Sequence, residues 1–182
     1  MRHSRYHGVI IGCFAFFTWC FVATPAAAGA EITETDVLVA ARALSFLQSP
    51  PTGEVRVGIV YSPGEPRSVE EADQLQQILA GGLKVGNLTM TPFKVKVDEL
   101  ASINVQLLWL TTDIGRDGER VADTSKAKQI PCITVDIAAV HNGACVMGVS
   151  SQPRVEIIVN RAAAAKINMS FATVFRLLVT EI

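Results

Sequence analysis

The chain has 182 residues, with sixteen Lys and Arg against seventeen Asp and Glu for a formal net charge of −1, and 49% of it is hydrophobic. Nucleic-acid binding needs clustered positive charge to displace counterions, so this balance speaks against a nucleic-acid partner. The length suits one compact domain and falls short of a two-lobed receptor.

The first thirty residues read as an export signal. Arg2 and Arg5 stand in a stretch without acids, and Val9 to Val22 is a run of about fourteen mostly apolar residues. Ala26-Ala27-Ala28 and Ala28-Gly29-Ala30 both fit the small-x-small cleavage pattern. A membrane anchor would need roughly twenty apolar residues, and Phe17-Thr18-Trp19 ahead of Cys20 lacks the small residues of a lipidation site. The expectation is a cleaved secretory signal over 1–30 and a single exported domain over 31–182, starting near Gly29 or Glu31 and not spanning a membrane. Loss of Arg2 and Arg5 leaves fourteen basic residues against the seventeen acids.

Beyond Glu31, the apolar positions Val37, Leu38, Ala41, Leu44 and Leu47 recur at helical spacing until Pro50-Pro51 ends them. Val55 to Tyr61 is apolar without a polar face, the pattern of a strand covered on both sides in a parallel sheet. Pro63-Gly64-Glu65-Pro66 breaks the chain, and Ser68-Val69-Glu70-Glu71 reads as a capping box opening a helix that Gly81-Gly82 ends. Leu88 to Val97 is a strand expected to be interrupted at Pro92, its Lys94 and Lys96 forming a solvated face. Asp98 to Ser102 is a short helix, Val105 to Leu110 a strand with Trp109 in the core, and Gly115 to Gln129 a surface helix. Pro131 to Val135, Ala144 to Val149 and Val155 to Val159 read as strands, with a helical turn over Ile137 to His141. The last stretch reads as helical over Ala162 to Ala165 and again from Phe171 to Val179. Strand and helix alternate, which predicts an α/β three-layer sandwich with a mostly parallel sheet and helices on both faces. The Cys145 and Val155 strands lie close enough in sequence to pair as a hairpin, antiparallel at one margin.

Chemistry is sparse. The sequence holds no Gly-x-Ser-x-Gly elbow, Walker loop, dinucleotide Gly fingerprint or His-Glu-x-x-His. With His141 the one histidine beyond the signal, no catalytic residue, cofactor or metal site is expected. Asp113 and Asp117 flank a glycine-rich turn without the further acids of a calcium loop. Cys132 and Cys145 are the two thiols left after the signal, and they read either as a disulfide, favoured in an oxidising compartment, or as buried free thiols. In open α/β sheets ligands bind beyond the carboxyl ends of strands. Those ends carry Tyr61 and Ser62, Thr111 and Thr112, Asp136 and Ser150, with Ser62, Thr112 and Asp136 as the candidate ligand-binding residues for a small polar solute, and the same residue types equally cap the helices that follow.

The stretch Val155-Glu156-Ile157-Ile158-Val159-Asn160-Arg161-Ala162-Ala163-Ala164 resembles the closing segment of the YfiR-like family of periplasmic proteins, in which a strand ending near an Asn leads into an Ala-rich helix and a second helical stretch. The leading helix, a proline and the strand Val55-Arg56-Val57-Gly58-Ile59-Val60 also fit, so the resemblance spans nearly all of 31–182, with 143–182 its distinctive part. Ser49-Pro50 stands where the family often has Trp-Pro, and the spacing of Cys132 and Cys145 need not match the family's own disulfides. The resemblance implies a periplasmic regulator that represses an inner-membrane diguanylate cyclase by contact with its periplasmic domain, limiting cyclic-di-GMP signalling and biofilm formation, with redox-sensitive disulfide support. The alternative from the residues alone is a small-solute-binding module of a transport or sensing system. Exposed sheet margins also admit a homodimer.

Overall fold

The computed structural model describes residues 31–182, so the expected signal over 1–30 lies outside the described residues. The first helix, α1 (Glu34–Leu44), starts on a capping box in which the Thr33 hydroxyl accepts from the Asp36 amide while the Asp36 carboxylate accepts the Thr33 amide at 2.8 Å. β1 (Gly53–Tyr61) and α2 (Pro66–Ile78) follow, then a hairpin of β2 (Leu83–Val85) and β3 (Leu88–Lys96). After a 3-10 turn come β4 (Leu107–Leu110), α3 (Gly118–Lys128), β5 (Cys132–Thr134), α4 (Ile137–His141), β6 (Met147–Ser150) and β7 (Glu156–Val159). The chain closes with α5 (Arg161–Lys166), α6 (Thr173–Arg176) and β8 (Thr180–Glu181).

The eight strands form one sheet in the order β2-β3-β1-β4-β5-β6-β7-β8, and all pairs except β2–β3 and β6–β7 are parallel. The two alternating faces of β4 show the layers. Leu107 and Trp109 pack with Val57, Ile59 and Ile133 under α1 and α2, where Val37, Ala40, Leu44, Ala72 and Leu75 are buried. Leu108 and Leu110 pack on the other side with Val60, Cys132, Val121 and Val140, under α3 and α4. Burying both faces explains why β1 and β4 read as continuous apolar runs. The three-layer α/β sandwich is therefore present, with the reversal expected at the β6–β7 hairpin and a second one at β2.

The structure departs from the sequence reading in several places. β3 runs through Pro92 without a break, because Pro92 lies past the end of β2, where the outer edge of β3 has no partner among the described residues and a missing N–H costs no ladder bond. β2 was not expected; its signal is Gly86-Asn87, a two-residue hairpin turn with Gly86 at φ 59. The strand expected from Ala144 starts at Met147, leaving Cys145 in the loop before it. Finally, Phe171 to Val179 is not one helix: α6 is a single turn and the chain then extends into β8, parallel to β7. Phe175 accounts for the turn by packing against Phe46 and Phe171, with ring centroids 5.0 and 4.9 Å away.

Cys132 and Cys145 are joined as a disulfide across a Cα separation of 4.6 Å, which ties the start of β5 to the loop before β6. The free-thiol reading is thereby set aside. Among the described residues no helix is long and apolar enough to cross a membrane.

Candidate functional site at the carboxyl ends of the strands

The five central parallel strands, taken in chain order, lie side by side as second, first, third, fourth and fifth. In that arrangement the chain leaves β1 toward β3 on one side and returns to β4 on the other, so the crevice between the carboxyl ends of β1 and β4 is the topological switch point. Tyr61 and Ser62 end β1 there, and Thr111 and Thr112 end β4.

Helix α2 leans over this crevice, and its N-terminal half supplies the side chains that fill it. Pro66 sits in the first helical turn, where a missing N–H costs nothing, so the helix starts two residues ahead of the expected Ser68. The capping box read at Ser68-Val69-Glu70-Glu71 is thereby corrected. Glu65 takes the cap position without a side-chain bond, and Ser68 and Glu71 turn inward instead. The buried Ser68 hydroxyl accepts the Ser62 amide at 2.9 Å and lies 2.7 Å from the Thr111 hydroxyl, which in turn bonds the Val60 carbonyl at 3.0 Å. Glu71 Oε2 accepts both the amide and the hydroxyl of Thr112, at 2.8 and 2.7 Å. Arg67, on the outside, pairs with Asp113 at 3.4 Å.

Glu71 is the exceptional member. It is 6% exposed, and its second oxygen, Oε1, is buried without a hydrogen-bond partner. Burial pushes its carboxyl above the usual carboxylate range; the two Thr112 donors and the Arg67 charge pull the other way, and Asp136 reinforces the rise.

Of the three residues expected at the strand ends, Thr112 belongs to this network and Ser62 enters it through its amide. Asp136 instead caps α4, accepting the amides of Ala138 and Ala139 at 2.9 and 3.4 Å, and faces Glu71 as a charge. From the sequence, Thr111 stands at the end of its strand and Ser68 and Glu71 read only as a capping box, while Arg67 carries no signal there. The signal that finds Ser68 and Glu71 is Pro66, because moving the helix start forward carries them from the cap into the buried stripe with Ala72 and Leu75. His141 is exposed, and among the described residues no three His, Cys, Asp or Glu side chains are grouped to hold a metal ion.

No family model and no curated protein matches the sequence. Solved structures share its fold, among them the following two. One is a conserved domain protein from Vibrio cholerae O1 biovar eltor str. N16961, with TM-score 0.57 and 13% identity over 81% of this chain and 59% of that one. The other is an ABC domain from Streptococcus pneumonia in complex with L-Trp, with TM-score 0.57 and 14% identity over 80% of this chain and 60% of that one. This chain thus spans about three fifths of the length of each, and at these identities the likeness is one of fold.

Proposed function

We propose that this chain is an exported regulatory protein that works by contact with another protein, and that its partner is the periplasmic domain of an inner-membrane diguanylate cyclase, which it represses. The observation that carries this reading is an apolar strip at the end of the chain. Val174, Leu177 and Leu178 are 60, 80 and 74% exposed, within the segment that carries the resemblance to the YfiR-like family. Their neighbour Phe175 is buried and fastens α6, while backbone bonds from Ala172 to Phe46 and from Gln48 to Ser170 tie the segment to the end of α1. Single exposed apolar residues are ordinary; three large ones within five positions, held on a fixed turn, suit a protein contact. The strand-end groups support the same reading, since the Thr112 hydroxyl and the Asp136 carboxylate already bond within the chain. Deleting the gene should raise cyclic-di-GMP and adhesion, and the purified protein should bind the cyclase's periplasmic domain. Unchanged cyclic-di-GMP on deletion would remove this reading.

A second reading, capture of a small polar solute, is favoured by one observation. Glu71 Oε1 is an acceptor without a partner at the switch point, where sheets of this strand order hold their ligands. The Streptococcus domain of like fold, in complex with L-Trp, makes L-Trp a sensible first probe. Its capture should raise the melting temperature by mass action, and an unchanged melting temperature at millimolar L-Trp would count against that ligand.

A further inference from the structure

Three consecutive residues after β4 are each held by a residue of α2: Thr111 by Ser68, Thr112 by Glu71 and Asp113 by Arg67. Asp113 sits in the left-handed region at φ 57, which Asp enters more readily than most non-glycine residues. The three ties differ in kind. The Arg67–Asp113 pair is about half exposed at both ends and so contributes little. The Ser68–Thr111 contact is between neutral hydroxyls and does not change with pH in the physiological range. Glu71 alone is both buried and ionisable, and it holds Thr112 through one oxygen while the other has no partner.

A neutral carboxyl sits in that position at modest cost, whereas a carboxylate leaves a buried, half-satisfied charge. The charged groups facing it are Arg67 on its own helix, already engaged by Asp113, and Asp136 from the loop after β5, which repels the charge. From the loop after β4 it meets the Thr112 donors, which favour the charged form; burial outweighs them, and the carboxyl is raised accordingly.

We propose that Glu71 is a proton-operated latch at the switch point: protonated, it keeps α2 closed on the loop 111–113, and ionised, it loosens that loop and opens the crevice between β1 and β4. The latch stands whether the chain regulates by protein contact or captures a solute, because it concerns the closure of the crevice and not its occupant.

The test uses carbon NMR of the Glu71 carboxyl and hydrogen exchange of the Thr112 amide, in the wild type and in Glu71→Gln, across pH. The carboxyl should titrate above the ordinary glutamate range. Thr112 protection in the wild type, relative to the always-neutral Gln variant, should fall by up to about tenfold per pH unit between the open-state and closed-state pKa values. Identical pH profiles of Thr112 protection in the two proteins would overturn the latch. Should Glu71→Gln fail to fold, the wild type decides alone: a carboxyl midpoint at or below the ordinary range, or Thr112 exchange that ignores that midpoint, overturns it equally.

Discussion

Replacing Leu177 and Leu178 together by Ser separates the role of the exposed strip in binding from any role in folding. Burying a leucine fully contributes about 1.5–3 kcal/mol. At 80 and 74% exposure the free protein realises only a minor part of that, about 0.3–0.8 kcal/mol for each side chain. The urea midpoint of the double variant should therefore move little. In a complex that covers the strip the remainder is at stake, about 2–4 kcal/mol for the pair, which is a roughly 30- to 700-fold loss of affinity. Phe175→Ala is the opposite control. Phe175 is 3% exposed and stacked against two rings, so its loss should cost about 3–5 kcal/mol of stability. Titration calorimetry against the cyclase periplasmic domain reads the binding arm and urea denaturation the folding arm. A double variant that is folded and binds as tightly as the wild type would refute the strip as the contact face.

Three further changes follow from the packing. Because the folded-state pKa of Glu71 is raised, the stability it contributes is fully present below the ordinary glutamate value and is lost as pH rises through the raised one; Glu71→Gln should flatten that decline in melting temperature, and an unchanged slope would show that another group causes it. Replacing both Cys132 and Cys145 by Ser opens a bridge of sequence separation 13 and should cost about 3 kcal/mol, measured as a lower denaturation midpoint that no longer responds to reductant. A Cβ built at Gly148 would lie 2.8 Å from Ile137 Cδ1 and from Val140 Cγ2, so Gly148→Ala should destabilise by about 1–3 kcal/mol, and a neutral result would mean that α4 shifts freely.

The fold was legible where burial is two-sided or periodic. β1 and β4 announced themselves because both faces are covered; α3 was legible from the thin stripe Val121, Ala122 and Ala127, of which only Val121 is fully buried, joined by Ser125, while Ala127 meets water. The C-terminal segment misled for a physical reason. Phe171 and Phe175 stand four residues apart, as on a helix, yet Phe171 forms an isolated bridge to Leu47 before α6 begins. Phe175 stacks on both Phe46 and Phe171, and this aromatic packing, not helical repetition, sets that spacing. The residues after it, Leu177 and Leu178, lack an inward partner, and the chain returns to the sheet as β8.

The site was half legible, and the reason can be tested at Ser68. A Ser followed three residues later by Glu is the local pattern of a helix cap, whereas the backbone here obeys Pro66, and which of the two sets the helix start is a tertiary decision. If Ser68 headed the helix, Ser68→Asp would be nearly silent, since Asp caps as well as Ser. In the structure Ser68 is 0% exposed, bonded to the Ser62 amide and the Thr111 hydroxyl, and three residues before the buried Glu71. A carboxylate placed there would be fully buried, and the neighbouring Arg67 is already engaged by Asp113. That arrangement predicts a loss of about 3 kcal/mol or more, or roughly 6–12 °C in melting temperature for a chain of this size. Ser68→Ala, which breaks the same two bonds without adding charge, should cost about 1–3 kcal/mol. A silent Ser68→Asp would return the helix start to Ser68 and dissolve the network that ties α2 to the end of β4; a loss larger than that of Ser68→Ala would place the serine inside the crevice, where its neighbours are Thr111 and Glu71 and not water.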